Sequence, residues 1–242
     1  MAIIHRNFIY NEDSEIIFAY VPKVACTNWK SLLRYMAGHQ DWLNQKLVHD
    51  KVAGGLRYLD LTGADADLLS CPNIRKYAMV RDPYSRVLSA YLNKVESRLA
   101  PRIEAPFEDH FHTVVRDIDA FRRKKLGARQ FPRIDFEVFL RWLQQGGSVY
   151  TQDEHWTSQS VLLHQPEVSF DFIGRFENLA VDAARILKEI GCDREFPSQK
   201  DVGFAATGAQ SKLDQYYNAT TRQLVNDIFA KDFENFAYTA SR

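Results

Sequence analysis

Apolar positions along the chain follow two rhythms in alternation. Ile16 to Val21 is an unbroken apolar run of strand length, as expected of a strand buried on both faces, and Arg75 to Val80 reads as a second. Each is followed by helical spacing. One stretch runs from Trp29 to about Ala37 and is ended by Gly38; another runs from Tyr84 to about Arg98 with Val87, Leu88, Tyr91 and Val95 on one stripe. Asp82 and Pro83 suit the cap and first position of that second helix. From Leu99 to Arg133 the pattern dissolves around Pro101, Pro106, Pro132 and the basic run Arg122-Arg123-Lys124-Lys125, which predicts a mobile insertion with one short helix. Order returns in an amphipathic helix from Ile134 to Gln145, ended by Gly146-Gly147, then a strand from Phe170 to Gly174. A helix over Glu177 to Ile190 carries Leu179, Ala183, Ile186 and Ile190 at helical spacing and is closed by Gly191. Lys212 to about Phe233 is expected to be mainly helical. Strands alternating with helices predict an α/β fold with a mostly parallel sheet flanked by helices. The expectation is one domain over residues 1–242 with an insertion at about 99–133. In such sheets ligands bind beyond the carboxyl ends of the strands.

Composition narrows the function classes. The 242 residues are 45% hydrophobic and 26% charged, enough for an ordinary core. The 31 basic and 31 acidic residues cancel, which argues against nucleic acid as the main partner. Anion binding must then be local. Cys26, Cys71 and Cys192 are odd in number, sparse and without a CxxC pair, so reduced thiols are expected, with no disulfide framework and no metal site at ligand spacing. The first residues are too short and polar for a signal peptide, and no apolar run approaches the roughly 18 residues of a membrane span. The reading is a soluble, cytoplasmic protein, in which the sequon Asn218-Ala219-Thr220 carries no glycan.

Two strand-to-helix turns carry chemistry. In Pro22-Lys23-Val24-Ala25-Cys26-Thr27-Asn28 a helix start offers backbone N–H groups and a favourable dipole to an anion. Lys23 adds charge, and Thr27 and Asn28 add polar partners. The turn has no glycine and does not match GxxxxGK[ST], and no acidic group obviously serves a magnesium ion, so a kinase or ATPase is disfavoured. In the second turn Arg81 stands at a strand end, where its fork of donors suits a phosphate. Ser89 lies two turns into the helix that follows. Two anion sites on one sheet edge fit a cosubstrate with phosphates at both ends.

The segment PKVACTNWK resembles the 5′-phosphosulfate loop of the Golgi carbohydrate sulfotransferases, the group that includes the HNK-1 and chondroitin/dermatan 4-O enzymes. VRDPYSRVLSAYLNK resembles their 3′-phosphate motif. Glu154-His155-Trp156, FDFIGRFENL from Phe170 to Leu179 and KDFENFAY from Lys231 to Tyr238 are similar to that family as well. The resemblance implies a P-loop-like sulfotransferase fold that uses 3′-phosphoadenosine 5′-phosphosulfate (PAPS) to sulfate a hydroxyl, with a glycan as acceptor. Lys23, Val24, Ala25, Cys26, Thr27, Asn28 and Trp29 would then form the 5′ cradle, and Arg81 and Ser89 would hold the 3′-phosphate. Ala25 departs from the family, where glycine is common, and the family's membrane anchor is not seen, which suggests a soluble member, such as a bacterial one.

Sulfuryl transfer needs a positioned acceptor, charge stabilisation on the leaving oxygen and a base for the acceptor proton. Lys23 suits the second task. For the third, His49 stands in LVHDKVAGGLRYLD between the two nucleotide motifs, an order that resembles the uronyl 2-O-sulfotransferases, where a catalytic histidine precedes a similar YLD segment. His155 is the alternative, or with Trp156 it shapes an acceptor pocket. Glu154 and Asp50 come next if neither histidine serves. The basic stretch Arg116 to Arg133 could draw an anionic glycan as a group. A non-catalytic nucleotide- or glycan-binding protein on the same fold is the competing class.

Overall fold

The structure, a computed structural model, describes residues 7–99 and 109–241. Pro101, Pro106 and most of the first third of the expected insertion lie outside the described residues. In chain order the elements are β1 (Phe8–Asn11), β2 (Ile16–Ala19), α1 (Cys26–Met36), α2 (Gln45–Val48), β3 (Arg57–Tyr58), β4 (Arg75–Val80), α3 (Pro83–Ala90), α4 (His110–Phe121) and α5 (Phe136–Gln145). They continue as α6 (Gln159–Leu162), β5 (Phe172–Arg175), α7 (Leu179–Glu189), α8 (Gln199–Val202), α9 (Leu213–Tyr216), α10 (Ala219–Ile228) and α11 (Ala230–Asn235). The chain forms two compact units: residues 1–81 with 159–206, and residues 82–158 with 207–242. Among the described residues no helix is long and apolar enough to cross a membrane.

The first unit holds the sheet, in the order β3-β1-β2-β4-β5. All four residues of β2 are buried, as is β4 from Lys76 onward, which is why both read as apolar runs. β2, β4 and β5 are parallel, with Ile16 opposite Arg75 and Val80 opposite Arg175. β1 and β3 join antiparallel, so the α/β class holds but the sheet is mixed where a mostly parallel one was expected. The physical reason is the tight turn after Asn11, whose side chain accepts a hydrogen bond from Ser14 N at 2.9 Å; a hairpin this short can only return antiparallel. Phe18 of β2 stacks on Trp29 of α1 at 4.3 Å, and Trp29, Leu32 and Leu33 are the buried stripe of that helix. Each such side chain contributes about 1.5–3 kcal/mol of burial. α7 is tied to β5 through Asp182, which accepts from Arg175 N at 2.7 Å.

The second unit is helical. Its core gathers Tyr91, Ile118, Phe139, Trp142, Trp156, Val225 and Phe229 among others. All eight residues of α3 are buried, and the helix passes into a π turn (Tyr91–Val95) and a 3-10 turn (Glu96–Arg98), so the expected span to Arg98 is covered but not as one regular helix. The region read as a mobile insertion contains the twelve-residue α4, capped by Asp109 and His112, with Val114, Ile118 and Phe121 buried. Proline and basic runs on either side masked a good amphipathic stripe.

Candidate functional site

The turn from β2 to α1 departs from ordinary helix entry. Lys23 and Ala25 both adopt left-handed backbone, at φ 70° and 51°, although neither is glycine. Ala25 occupies the cap position and supplies no side-chain hydrogen bond. The first N–H to be satisfied inside the helix is that of Trp29, which reaches Ala25 O at 3.1 Å. The N–H groups of Cys26, Thr27 and Asn28 therefore have no intrahelical acceptor. Left-handed residues that turn successive N–H groups together at an open helix start make a concave anion cradle.

Three other segments of the same unit close on this turn. Arg81, directly after β4, is buried and donates from Nη1 to Lys23 O at 3.1 Å. Its guanidinium lies 4.3 Å from the ring of Phe176. Its backbone is clamped by the fully buried amide of Gln159, which accepts from Arg81 N at 2.9 Å and donates to Arg81 O at 2.8 Å. His49 caps the end of α2, and its Nε2 lies 3.0 Å from the Thr27 hydroxyl. Asn28 donates from its side-chain amide to Pro197 O at 2.8 Å. The residues taken from the sequence as one cradle thus divide. Lys23, Ala25, Cys26 and Thr27 are only partly buried, whereas Val24 and Trp29 face the core and Asn28 is engaged with Pro197. Asp50, the reserve base, is engaged with the N–H groups of Val52 and Ala53 at 2.8 Å each, and these bonds lower its pKa.

The second unit holds the remaining candidates. Ser89 is buried on the second turn of α3, with its hydroxyl 2.9 Å from that of Thr207. The start of α3 is satisfied by its own side chains: Asp82 accepts from Ser85 N at 2.9 Å and Pro83 fills the first turn. His155 is locked. Its Nδ1 lies 2.7 Å from Asp153, whose other oxygen is 3.3 Å from Nε2 of His110. Desolvation pushes the His155 pKa down and outweighs the pull of Asp153. The Asp153 carboxyl is opposed by the same burial, yet its hydrogen bonds to His155 hold it down at about 2. Trp156 belongs to the core and donates to Tyr150 O at 2.9 Å. Glu154 and Thr157 use their carbonyls to hold the buried Arg86, at 3.1 and 2.8 Å.

Two residues of the basic stretch are paired locally. Asp119 binds Arg122 and Arg123, each at 2.6 Å, beside a cleft of about 780 Å³ lined by Tyr91, Arg122, Arg133, Glu137 and Tyr216. Among the described residues no three of His, Cys, Asp and Glu gather as a metal-ligand group. All three cysteines are free. Sequence reasoning missed Gln159, Phe176 as a partner of Arg81, and Pro197. Phe176 stands in the GRFEN segment already singled out, but Gln159 acts from 78 residues away and carries no local signal.

Comparison with known proteins agrees with this geometry. The chain is 25% identical to carbohydrate sulfotransferase 11 of Rattus norvegicus over 97% of its own length and 67% of that protein's. It is 28% identical to carbohydrate sulfotransferase 14 of Homo sapiens, over 96% and 60%, and 27% identical to carbohydrate sulfotransferase 10 of Gallus gallus, over 98% and 67%. The chain therefore spans about two thirds or less of these relatives. No solved structure matches it significantly. Residues 6–239 match the model of the sulfotransferase family, and with nearly the whole chain so matched, the protein belongs to that family.

Proposed function

We propose that the protein transfers a sulfuryl group from PAPS to a hydroxyl of a carbohydrate. The observation that carries this reading is the Thr27–His49 contact: an imidazole stands 3.0 Å from a hydroxyl at the open start of α1. PAPS would supply the activated sulfuryl group. The residues present suit it, because an uncapped helix start and Lys23 offer donors and positive charge to the 5′ end. Lys23 stabilises negative charge on the leaving phosphate oxygen. His49 accepts the proton of the acceptor hydroxyl, and the Thr27 hydroxyl fixes the imidazole meanwhile. By resemblance, Arg81 and Ser89 hold the 3′-phosphate, and Arg81 also braces the Lys23 peptide. His155, half-buried and bonded to a carboxylate, suits a structural role better than proton transfer. The carbohydrate acceptor follows the names of the relatives.

Two measurements test this. Sulfur-labelled PAPS is incubated with chondroitin, dermatan and methyl β-galactoside; label should pass to at least one of them. The product nucleotide 3′-phosphoadenosine 5′-phosphate (PAP) should raise the melting temperature far more than AMP, by the equivalent of about 2.7 kcal/mol at about 100 times its Kd. Nucleotide binding without transfer to any acceptor would favour the non-catalytic reading, and equal stabilisation by AMP and PAP would remove the 3′-phosphate site.

A further inference from the structure

The segment 197–204 is fixed at several points around the first unit's candidate base, and its last residue meets that base. It begins with Pro197 O, held by Asn28, and continues into α8, capped by a reciprocal Ser198–Asp201 pair. α8 ends at Gly203, in left-handed backbone at φ 69°. This turn lies against the side-chain amide of Gln45, the first residue of α2, the helix that ends at His49. The next residue is Phe204. Its ring centroid is 5.8 Å from that of His49, with the two rings at 89°. Phe204 nevertheless stays 43% exposed, while Phe18 and Trp29 in the same unit are buried. A single exposed apolar side chain is ordinary on a protein surface. An aromatic ring anchored by a built turn and set on the imidazole of a candidate base is not explained by that.

We infer that Phe204 is an acceptor-binding residue: its exposed ring receives the C–H face of the sugar whose hydroxyl is delivered to His49. The inference rests on the sulfotransferase reading above and adds the residue that orients the acceptor. A pyranose has an apolar C–H face and a polar edge of hydroxyls. When the C–H face lies against a phenyl ring, the hydroxyl edge points outward past the rim of that ring. His49, with its ring centroid 5.8 Å from that of Phe204, is within reach of such an edge. The contact is apolar and directional, so it selects a ring-shaped acceptor over an open-chain alcohol without consuming a hydrogen bond.

The test uses Phe204→Ala, Phe204→Leu and Phe204→Trp in the full chain, with the carbohydrate of the panel above that gives the highest turnover. Phe204→Ala should raise the acceptor KM about three- to tenfold, the loss expected for one aromatic contact. PAP affinity, measured by calorimetry, should stay unchanged, and Phe204→Trp should restore KM where Phe204→Leu does not. An unchanged KM in Phe204→Ala overturns the inference. So does equal rescue by leucine, which would show generic packing, and so does a parallel loss of PAP affinity, which would place the ring on the nucleotide. Failure of the parent protein to transfer label to any acceptor would instead overturn the sulfotransferase reading itself, and this inference with it.

Discussion

The two helix starts that follow β2 and β4 differ in how their N–H groups are satisfied. α3 is capped by its own sequence: Asp82 accepts from Ser85 N, and proline occupies the first turn, where a missing N–H costs nothing. α1 has alanine at the cap, no side-chain acceptor and two left-handed residues ahead of it. A self-capped helix start has little left to offer a ligand through its backbone. An open one holds donors and a positive dipole end in reserve. The two turns are therefore not equivalent anion sites. In the proposed function the first would bind through backbone N–H groups and Lys23, whereas the second has no open helix start and would have to act through side chains.

The sharpest way to break this contrast is to remove the base assigned to the open start. His49→Ala should lower kcat by about 10²- to 10⁴-fold and leave PAP affinity nearly unchanged, since a positioned base acts on the acceptor proton and not on the nucleotide. His155→Ala should leave kcat within about threefold and lower the melting temperature, because it breaks a half-buried pair with Asp153. Steady-state kinetics and thermal melting on both variants decide it. A reversal, with kcat lost in His155→Ala and kept in His49→Ala, would transfer the chemistry to the second unit's histidine.

A smaller effect separates two roles of Arg81. Its guanidinium holds Lys23 O, and by resemblance it also meets the 3′-phosphate. Arg81→Ala should weaken PAP binding by about ten- to a hundredfold, the range of a lost hydrogen bond to a charged group. AMP, which has no 3′-phosphate, is the control. If AMP binding falls as much as PAP binding, Arg81 only braces the first loop, and the second motif is left with Ser89 alone. Calorimetry with both nucleotides reads this directly.

How much of this was legible in the sequence depends on whether the signal was local. β2 and β4 were visible because burial on both faces leaves continuous apolar runs, and the partly buried edge strand β5 showed through its short apolar stretch. β1 and β3 were not, since FIYN and RY are too short to show a period and pair only through the hairpin turn and the sheet edge. α4 was obscured by the charge-rich and proline-rich residues around it. In the site, the motif order placed Lys23, Thr27 and Arg81 on turns, and the structure brings Lys23 and Arg81 into contact. The order of the chain placed His49 between the two motifs, but its meeting with Thr27 across 22 residues is a tertiary contact. Gln159, Pro197 and Phe204 act through long-range contacts, which no spacing in the chain announces.

The smallest effect tests the contrast at its origin. Asp82→Ala removes the side-chain cap of α3 and should cost about 1 kcal/mol of stability, as loss of such a cap usually does. Ala25→Gly should behave in the opposite sense. At φ 51° the alanine methyl crowds the following carbonyl, a strain of about 1–2 kcal/mol that glycine does not have. Against this, glycine has more backbone freedom to lose on folding, about 0.5–1 kcal/mol. The net change should lie between about zero and 1.5 kcal/mol in favour of the variant. Because the cradle is made of N–H groups, which glycine retains, PAP should bind Ala25→Gly as it binds the parent. Thermal melting of the two single variants, with and without PAP, gives both quantities. A clear loss of stability in Ala25→Gly would mean that the left-handed cap is not a strained position, and the open helix start would then need another explanation than a backbone held in place for an anion.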